Sequence, residues 1–316
     1  MTGTAEAFGD LRPLMFAIAY RMLGSVSEAE DIVQEAFLRY HQATVRPESP
    51  KAYLSAVTTR LCIDHARSAR VRREMYVGQW LPEPLLTDLA APDPQDLAEQ
   101  SDTLSMTFLL LLERLSPVER AVFLLHDVFG YGYDEVARIV GRGDQACRQL
   151  GYRARKHVAE HRRRFDASRR QSAKLAERFF AAMAAGDMDG LVSMLAADAV
   201  VTGDSGGARP SWPQPVIGRD RIGRLFSPIG SQLRQVRGTV RLTGINGQPG
   251  AMFLDADGRV IAVMVLEIAD RQVTAVRGVI SRDKLRHLGP LADLPDLFRQ
   301  LRDQTSPGPA EPPVLP

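Results

Sequence analysis

Hydrophobic and polar positions repeat with a helical period over residues 8 to 75. The first run ends at Gly24, and its apolar residues recur every three or four positions, which predicts one helix. In the second run apolar residues fall on one side and acidic residues on the other. Ser27 and Glu30 have the spacing of a capping box, so we expect the second helix to begin there. The pattern then predicts a third helix from about Lys51 to Arg73.

A second helical stretch predicts a helix-turn-helix. Ser116 and Glu119 flank Pro117 in a capping box, with proline at the first helical position. A short helix is expected from Asp134 to Val140 and ends at Gly141, which permits the turn. A longer helix begins near Asp144.

The pattern changes to a period of two after residue 171, apart from one helix predicted over Lys174 to Ala185. Asn246-Gly247 and Asp257-Gly258 supply hairpin turns between the strands. We therefore predict an α+β domain with an antiparallel sheet. The predicted strands are Val236 to Ile245, Gly250 to Leu254, Val260 to Ile268, and Val273 to Ile280.

Proline and acidic residues separate these regions. Four prolines and several acids punctuate a predicted linker, and a proline-rich stretch after Thr305 predicts a partly disordered tail. The expected parts are a first helical region, the linker, a second helical region, the α+β domain and the tail. Their bounds are 1–75, 76–103, 104–165, 171–290 and 291–316, respectively.

Composition narrows the class of protein. A chain of 316 residues with 45% hydrophobic residues suggests two or three domains with real cores. Two distant cysteines, Cys62 and Cys147, make a disulfide or zinc framework unexpected. We predict no cofactor and no metal. We also expect neither a signal peptide nor a membrane span, which fits a cytoplasmic location.

The net charge of +2 hides an uneven distribution. No lysine or arginine occurs between Glu74 and Glu113, and basic blocks lie on either side. The exposed face of the second helix of the helix-turn-helix offers groups that can read bases or hold phosphates. An ordinary helical hairpin with a solvated basic face is the alternative. The candidates are Arg148, Gln149, Tyr152, Arg153, Arg155 and Lys156.

The third predicted helix carries the other basic block. Phosphate binding is plausible there, although a run of charge is often only a solvated face. Its candidate DNA-binding residues are Lys51, Arg60, Arg67, Arg70, Arg72 and Arg73.

The stretches Glu30 to Arg39, Leu115 to Arg120 and Ala146 to Arg155 closely resemble regions 2.2 and 4 of extracytoplasmic-function sigma factors. The resemblance implies two all-α sigma domains. It implies that region 2 engages and melts the −10 promoter element and that the last helix of region 4 reads the −35 element. Core RNA polymerase, through its β′ clamp helices and β subunit, is the implied partner. The implied polymerase-binding residues are Asp31, Gln34, Glu35 and Leu38.

The rest of the chain resembles a subgroup of these sigma factors with a C-terminal SnoaL-like cone domain, a curved antiparallel sheet with helices. In that subgroup the domain is regulatory, and no separate anti-sigma factor is required. We predict that three distant motifs converge, with Glu83 beside Arg209 or Lys284. Their residues are Trp80, Leu81, Pro82, Glu83, Pro84, Asp204, Gly206, Gly207, Arg209, Asp283, Lys284 and Leu285.

The sequence thus predicts an RNA polymerase sigma factor, regulated in cis and not itself an enzyme. Two alternatives remain. One is a stand-alone helix-turn-helix regulator, which would need neither the acidic helix nor the first basic block. The other is a SnoaL-like enzyme or ligand sensor fused to a DNA-targeting module. Asp198 and Asp204 are the candidate general bases by position, but residues 171 to 286 contain no tyrosine for an isomerase-type oxyanion hole.

Overall fold

Three helices form the first part of the fold: α1 (Thr2–Leu23), α2 (Val26–His41) and α3 (Pro50–Glu74). Gly24 ends α1 with a positive φ of 68°. The predicted start of α2 was wrong by two residues. Ser25 is the N-cap, and its hydroxyl accepts from the backbone N–H of Glu28. Ser25 directly follows the turn and is extended, so its side chain is the first that can cap.

The structure is a computed structural model that describes residues 2–44, 47–74, 76, 78–87, 103–161, 169–207 and 214–305. The predicted tail after Thr305 and most of the acidic linker lie outside the described residues. Those described fall into two compact units, one with residues 2–85 and 103–161, the other with 86–87 and 169–305.

The first unit continues with α4 (Met106–Glu113), α5 (Pro117–Phe123), α6 (Tyr133–Val140) and α7 (Asp144–His161). The capping box of Ser116 and Glu119 forms as predicted. Gly141 adopts the left-handed conformation between α6 and α7. Helices α1–α3 and α4–α7 contribute to one continuous hydrophobic core, so both helical regions fold as a single unit.

The second unit is a helix-and-sheet domain. Its helices are α8 (Arg169–Ala185), α9 (Met188–Met194), α10 (Arg219–Phe226), α11 (Ile229–Gln235), α12 (Arg282–Leu285) and α13 (Leu294–Thr305). Its strands are β1 (Leu86–Thr87), β2 (Leu195–Asp204), β3 (Val216–Ile217), β4 (Thr239–Ile245), β5 (Gln248–Leu254), β6 (Val260–Ala269) and β7 (Gln272–Val279). Phe179, Phe180 and Phe226 lie in the core that helices α8 to α10 form against the sheet.

The sheet has the order β1-β4-β5-β6-β7-β2-β3. The four predicted strands pair antiparallel, as expected. The prediction of a wholly antiparallel sheet was wrong, because β2 pairs parallel with β7. The alanines and the exposed Asp198 at the start of β2 weaken its alternation, and no strand was predicted there for that reason.

The edge strand β1 comes from the linker. Leu86 pairs with Ile245 and Thr87 with Gly244 of β4. The Thr87 hydroxyl also accepts from the backbone N–H of Gly247, at 3.0 Å. The linker is therefore part of the sheet of the second unit.

Candidate functional site

Helix α2 presents one acidic exposed face. Ile32, Val33 and Ala36 are buried and fix the rotation of the helix, while Asp31 and Gln34 are exposed. The remaining two predicted polymerase-binding residues share this exposed face. Leu38 is 48% exposed, and Glu35 pairs with Arg39 at 2.7 Å. All four predicted residues thus form one patch, in which the apolar side chain of Leu38 lies beside the polar side chains of the other three.

The linker is anchored at the start of this helix by Glu83, which is buried. Its carboxylate accepts from the backbone N–H of Val26 at 2.7 Å and of Ser27 at 3.1 Å. The hydroxyls of Ser25 and Ser27 also donate to it, at 2.8 and 3.1 Å. A carboxylate at a helix N-terminus satisfies free N–H groups and complements the helix dipole.

The rest of the linker motif, which consists of residues Trp80 to Pro84, packs beside Glu83. The Tyr20 hydroxyl donates to the Glu83 carbonyl at 2.7 Å, and the Glu83 N–H donates to Gly24. The rings of Trp80 and Pro82 lie against Gly24, where an added Cβ would come within 2.8 Å of the tryptophan. Leu81 and Pro84 are buried. In the sequence, the charged Glu83 inside an apolar motif was the signal for this contact. The motif did not indicate the partner, which is the turn at Gly24.

Helix α3 directs its basic side chains to different places. The Arg60 guanidinium donates to the carbonyls of Ile139 and Arg138, at 2.9 and 2.8 Å, and so caps the end of α6. The Lys51 ammonium lies over the ring of Tyr131, and Arg67 pairs with Asp64. The side chains of Arg70, Arg72 and Arg73 lie outside the described part of the chain.

Contacts between α3 and the helix-turn-helix continue at Tyr131. Its hydroxyl and that of Ser55 lie 2.7 Å apart, and both residues are buried. Burial raises the pKa of Tyr131, so the phenol stays protonated near neutral pH. The two regions expected to read DNA are therefore bonded to each other in this structure.

Helix α7 has one buried and one exposed side. Gln149, Tyr152 and Lys156 are exposed, with Tyr152 at 66%. The arginines are held at the flanks. Arg148 pairs with Asp144, Arg153 with Glu119, and Arg155 with both Asp127 and the Tyr133 hydroxyl.

Two of the predicted regulatory motifs meet within the second unit. The Lys284 ammonium lies 2.6 Å from the Asp204 carboxylate, and both residues are buried. Gly206 donates its N–H to the same carboxylate, and Leu285 is buried nearby in the chain. Gly207 and Asp283 are exposed. Arg209 lies outside the described residues, and convergence of these motifs with the linker motif stays a prediction.

The second unit also contains an apolar cavity of about 170 Å³. Gln232 is the one polar residue among those that line it, which include Phe253, Met264 and Leu297. Neither Asp198 nor Asp204 lines this cavity. Among the described residues no group of histidine, cysteine and carboxylate side chains could hold a metal ion, and no helix is long and apolar enough to cross a membrane.

Models of three families match the chain: Sigma-70 region 2 over residues 7–72, Sigma-70 region 4 over residues 105–158, and the SnoaL-like domain over residues 176–280. One relative is the ECF RNA polymerase sigma factor SigJ of Mycobacterium tuberculosis. The two sequences are 36% identical, and the match covers 88% of this chain and 91% of that protein. The chain belongs to the extracytoplasmic-function sigma factors.

Other comparisons agree with this membership. The probable ECF RNA polymerase sigma factor SigI of the same organism is 35% identical over 67% of this chain and 72% of its own length. The crystal structure of SigJ superimposes with a TM-score of 0.71 and covers 91% of this chain and all of that one. The predicted family and the interpretation as a sigma factor with a fused SnoaL-like domain are therefore confirmed. As a sigma factor it binds core RNA polymerase and promoter DNA, whereas regulation in cis by the SnoaL-like domain stays a prediction.

Proposed function

We propose that the SnoaL-like domain controls this sigma factor through the linker, by holding the linker away from the place that it takes in the polymerase complex. The observation that supports this proposal is that the linker is bound at two points only three residues apart. Glu83 caps α2 of the first unit, and Leu86 begins the strand that pairs with β4 of the second.

The acidic face of α2 is the proposed docking surface for the β′ clamp helices. Asp31, Gln34, Glu35 and Leu38 share one exposed patch. Charge complementarity with a basic partner would favour encounter and register. Leu38, 48% exposed, would supply an apolar contact beside these polar side chains. This surface lies along α2, which begins at the residues that Glu83 caps.

We infer that the contact between α3 and α6 must open for promoter recognition. The −35 and −10 elements are separated by about 25 base pairs, or about 85 Å at 3.4 Å per base pair. A compact unit of about 150 residues has a radius of gyration near 15 Å. It cannot reach both elements while Arg60 caps α6 and the helices share one core. Opening requires a linker that is free to extend.

The linker connects these steps. In the family it threads toward the polymerase active centre, so binding to polymerase would compete with its place in the sheet. Each hydrogen bond of β1 then opposes complex formation by a modest free energy. A total of about 1.4 kcal/mol would change the equilibrium constant for binding to polymerase tenfold. A two-residue strand is weak enough for polymerase to displace.

Run-off transcription with purified core polymerase and the full-length chain tests this proposal. Thr87→Pro removes an N–H and the hydroxyl that accepts from Gly247, which disrupts β1. We expect it to raise promoter-dependent transcription several-fold. Thr87→Val is the matched control, because it keeps the backbone pairing. Equal transcription by Thr87→Pro and the unmodified chain would refute control through the linker. If no variant supports promoter-dependent transcription, the assignment of the DNA-reading surfaces is refuted instead.

A further inference from the structure

We propose that Gln145 and Gln149, on the first turns of α7, select adenines in the −35 element, and that the neighbouring arginines position the helix on phosphates. This inference rests on the proposed role of α7 in reading the −35 element. It assigns base selection to residues other than Arg148 and Arg153, and Gln145 was not among the residues predicted from the sequence.

The rotation of α7 is fixed by its buried side. Cys147, Ala154 and Val158 are buried against the rest of the unit. At 3.6 residues per turn, the stripe farthest from these residues has the spacing i, i+4, i+7 and i+11. That stripe consists of Gln145, Gln149, Tyr152 and Lys156, which are all exposed.

The arginines differ from this stripe because each is already engaged. The Arg148 guanidinium pairs with Asp144 at 2.9 Å and lies 4.8 Å from the centroid of the Tyr133 ring. Arg155 donates to the same tyrosine hydroxyl at 2.9 Å, on the side of the helix that faces α6.

Arg153 lies on the other flank and pairs with Glu119 at 3.0 Å. Each of these arginines is thus tied by an acceptor of this chain to a flank of the helix, away from the stripe of Gln145 and Gln149. Within residues 103–161, which the structure describes, no hydrogen bond or ion pair holds the side chains of Gln145 and Gln149.

The chemistry of the amide side chain then indicates the base. A glutamine can donate to N7 and accept from the N6 amino group of adenine in the major groove, and this pattern is distinct for each base pair. Residues at the N-terminal end of a recognition helix contact base edges. Gln145 and Gln149 are separated by about 6 Å along the axis, close to two base-pair steps. Two adenines about two steps apart are therefore expected.

The test uses holoenzyme assembled from core polymerase and the full-length chain, transcribing a promoter library with a randomised −35 element. Transcribed templates are sequenced. We expect enrichment of adenine at two positions about two steps apart. Gln149→Ala should reduce the preference at one of them by about 5- to 150-fold, and Gln145→Ala at the other. Gln149→Glu should change the first preference to cytosine, since a carboxylate accepts from its N4 amino group.

Arg148→Ala is the control, because it should lower transcription from all templates without changing the preferred bases. Guanine enrichment that Arg148→Ala or Arg153→Ala removes would overturn the assignment, as would an adenine preference that survives both glutamine substitutions. If the unmodified holoenzyme transcribes the library with no −35 preference at all, the proposed role of α7 fails rather than this assignment.

Discussion

Removing the carboxylate of Glu83 should release the linker from the start of α2. In Glu83→Ala the N–H of the buried residue Val26 loses its acceptor, which costs about 1–3 kcal/mol, and the N–H of the exposed residue Ser27 costs less. Loss of a carboxylate at the helix N-terminus adds about 0.3–1 kcal/mol. We therefore expect a total destabilisation of about 2–4 kcal/mol. Glu83→Gln keeps one acceptor oxygen and should cost about half as much.

The fluorescence of Trp80 reports this change, since its ring packs on Gly24 beside the carboxylate. The second tryptophan of the chain, Trp212, is replaced by phenylalanine in every variant to leave one reporter. With a slope of about 2 kcal/mol per molar urea, the middle of the usual range, the midpoint of the Trp80 transition should fall by about 1–2 M in Glu83→Ala.

Glu35→Ala serves as the matched control. Its carboxylate makes one exposed pair with Arg39, and such pairs contribute about 0.3–0.5 kcal/mol. If Glu83→Ala shifts the midpoint no more than Glu35→Ala does, the buried hydrogen bonds do not hold the linker and the reasoning is refuted.

Two further predictions concern surfaces elsewhere in the chain. Asp31→Arg combined with Glu35→Arg should prevent co-purification with core polymerase, because the reversed charges repel a basic partner. Asp189→Arg on the second unit is the control and should not prevent it. Co-purification of the double variant with core polymerase would exclude this docking surface. Lys284→Met should lower the free energy of unfolding by about 3–5 kcal/mol, since it breaks a buried ion pair, whereas Asp283→Ala removes only an exposed pair worth about 0–1 kcal/mol. Urea denaturation followed by circular dichroism measures both, and equal losses would contradict the assigned burial.

Features decided by a few neighbouring residues were accessible from the sequence. The capping box of Ser116 and Glu119 and the helix end at Gly141 formed as predicted, because each depends on groups within one turn of the chain. The hairpin at Asn246 formed for the same reason, with positive φ at both turn residues. The exposed face of α2 followed from its apolar period alone.

The error at the start of α2 was also local. Ser25 and Ser27 both have the chemistry of an N-cap, and only the position of the chain after Gly24 decided between them. The missed strand β2 shows a different limit. Its alternation is weak, and its parallel neighbour β7 follows in the chain only after several other helices and strands, so local sequence does not indicate the pairing.

The contacts that connect the candidate functional surfaces were decided by the tertiary structure. Glu83 and Val26 are 57 residues apart, Arg60 and Ile139 are 79 apart, and Asp204 and Lys284 are 80 apart. Once buried, the charges of Glu83, Asp204 and Lys284 each need a partner, and the sequence shows only that these charged residues are present. It does not specify the partner, because many acceptors and donors at long range satisfy the same requirement. Only the packed core, which brings particular helix ends and strands together, selects among them.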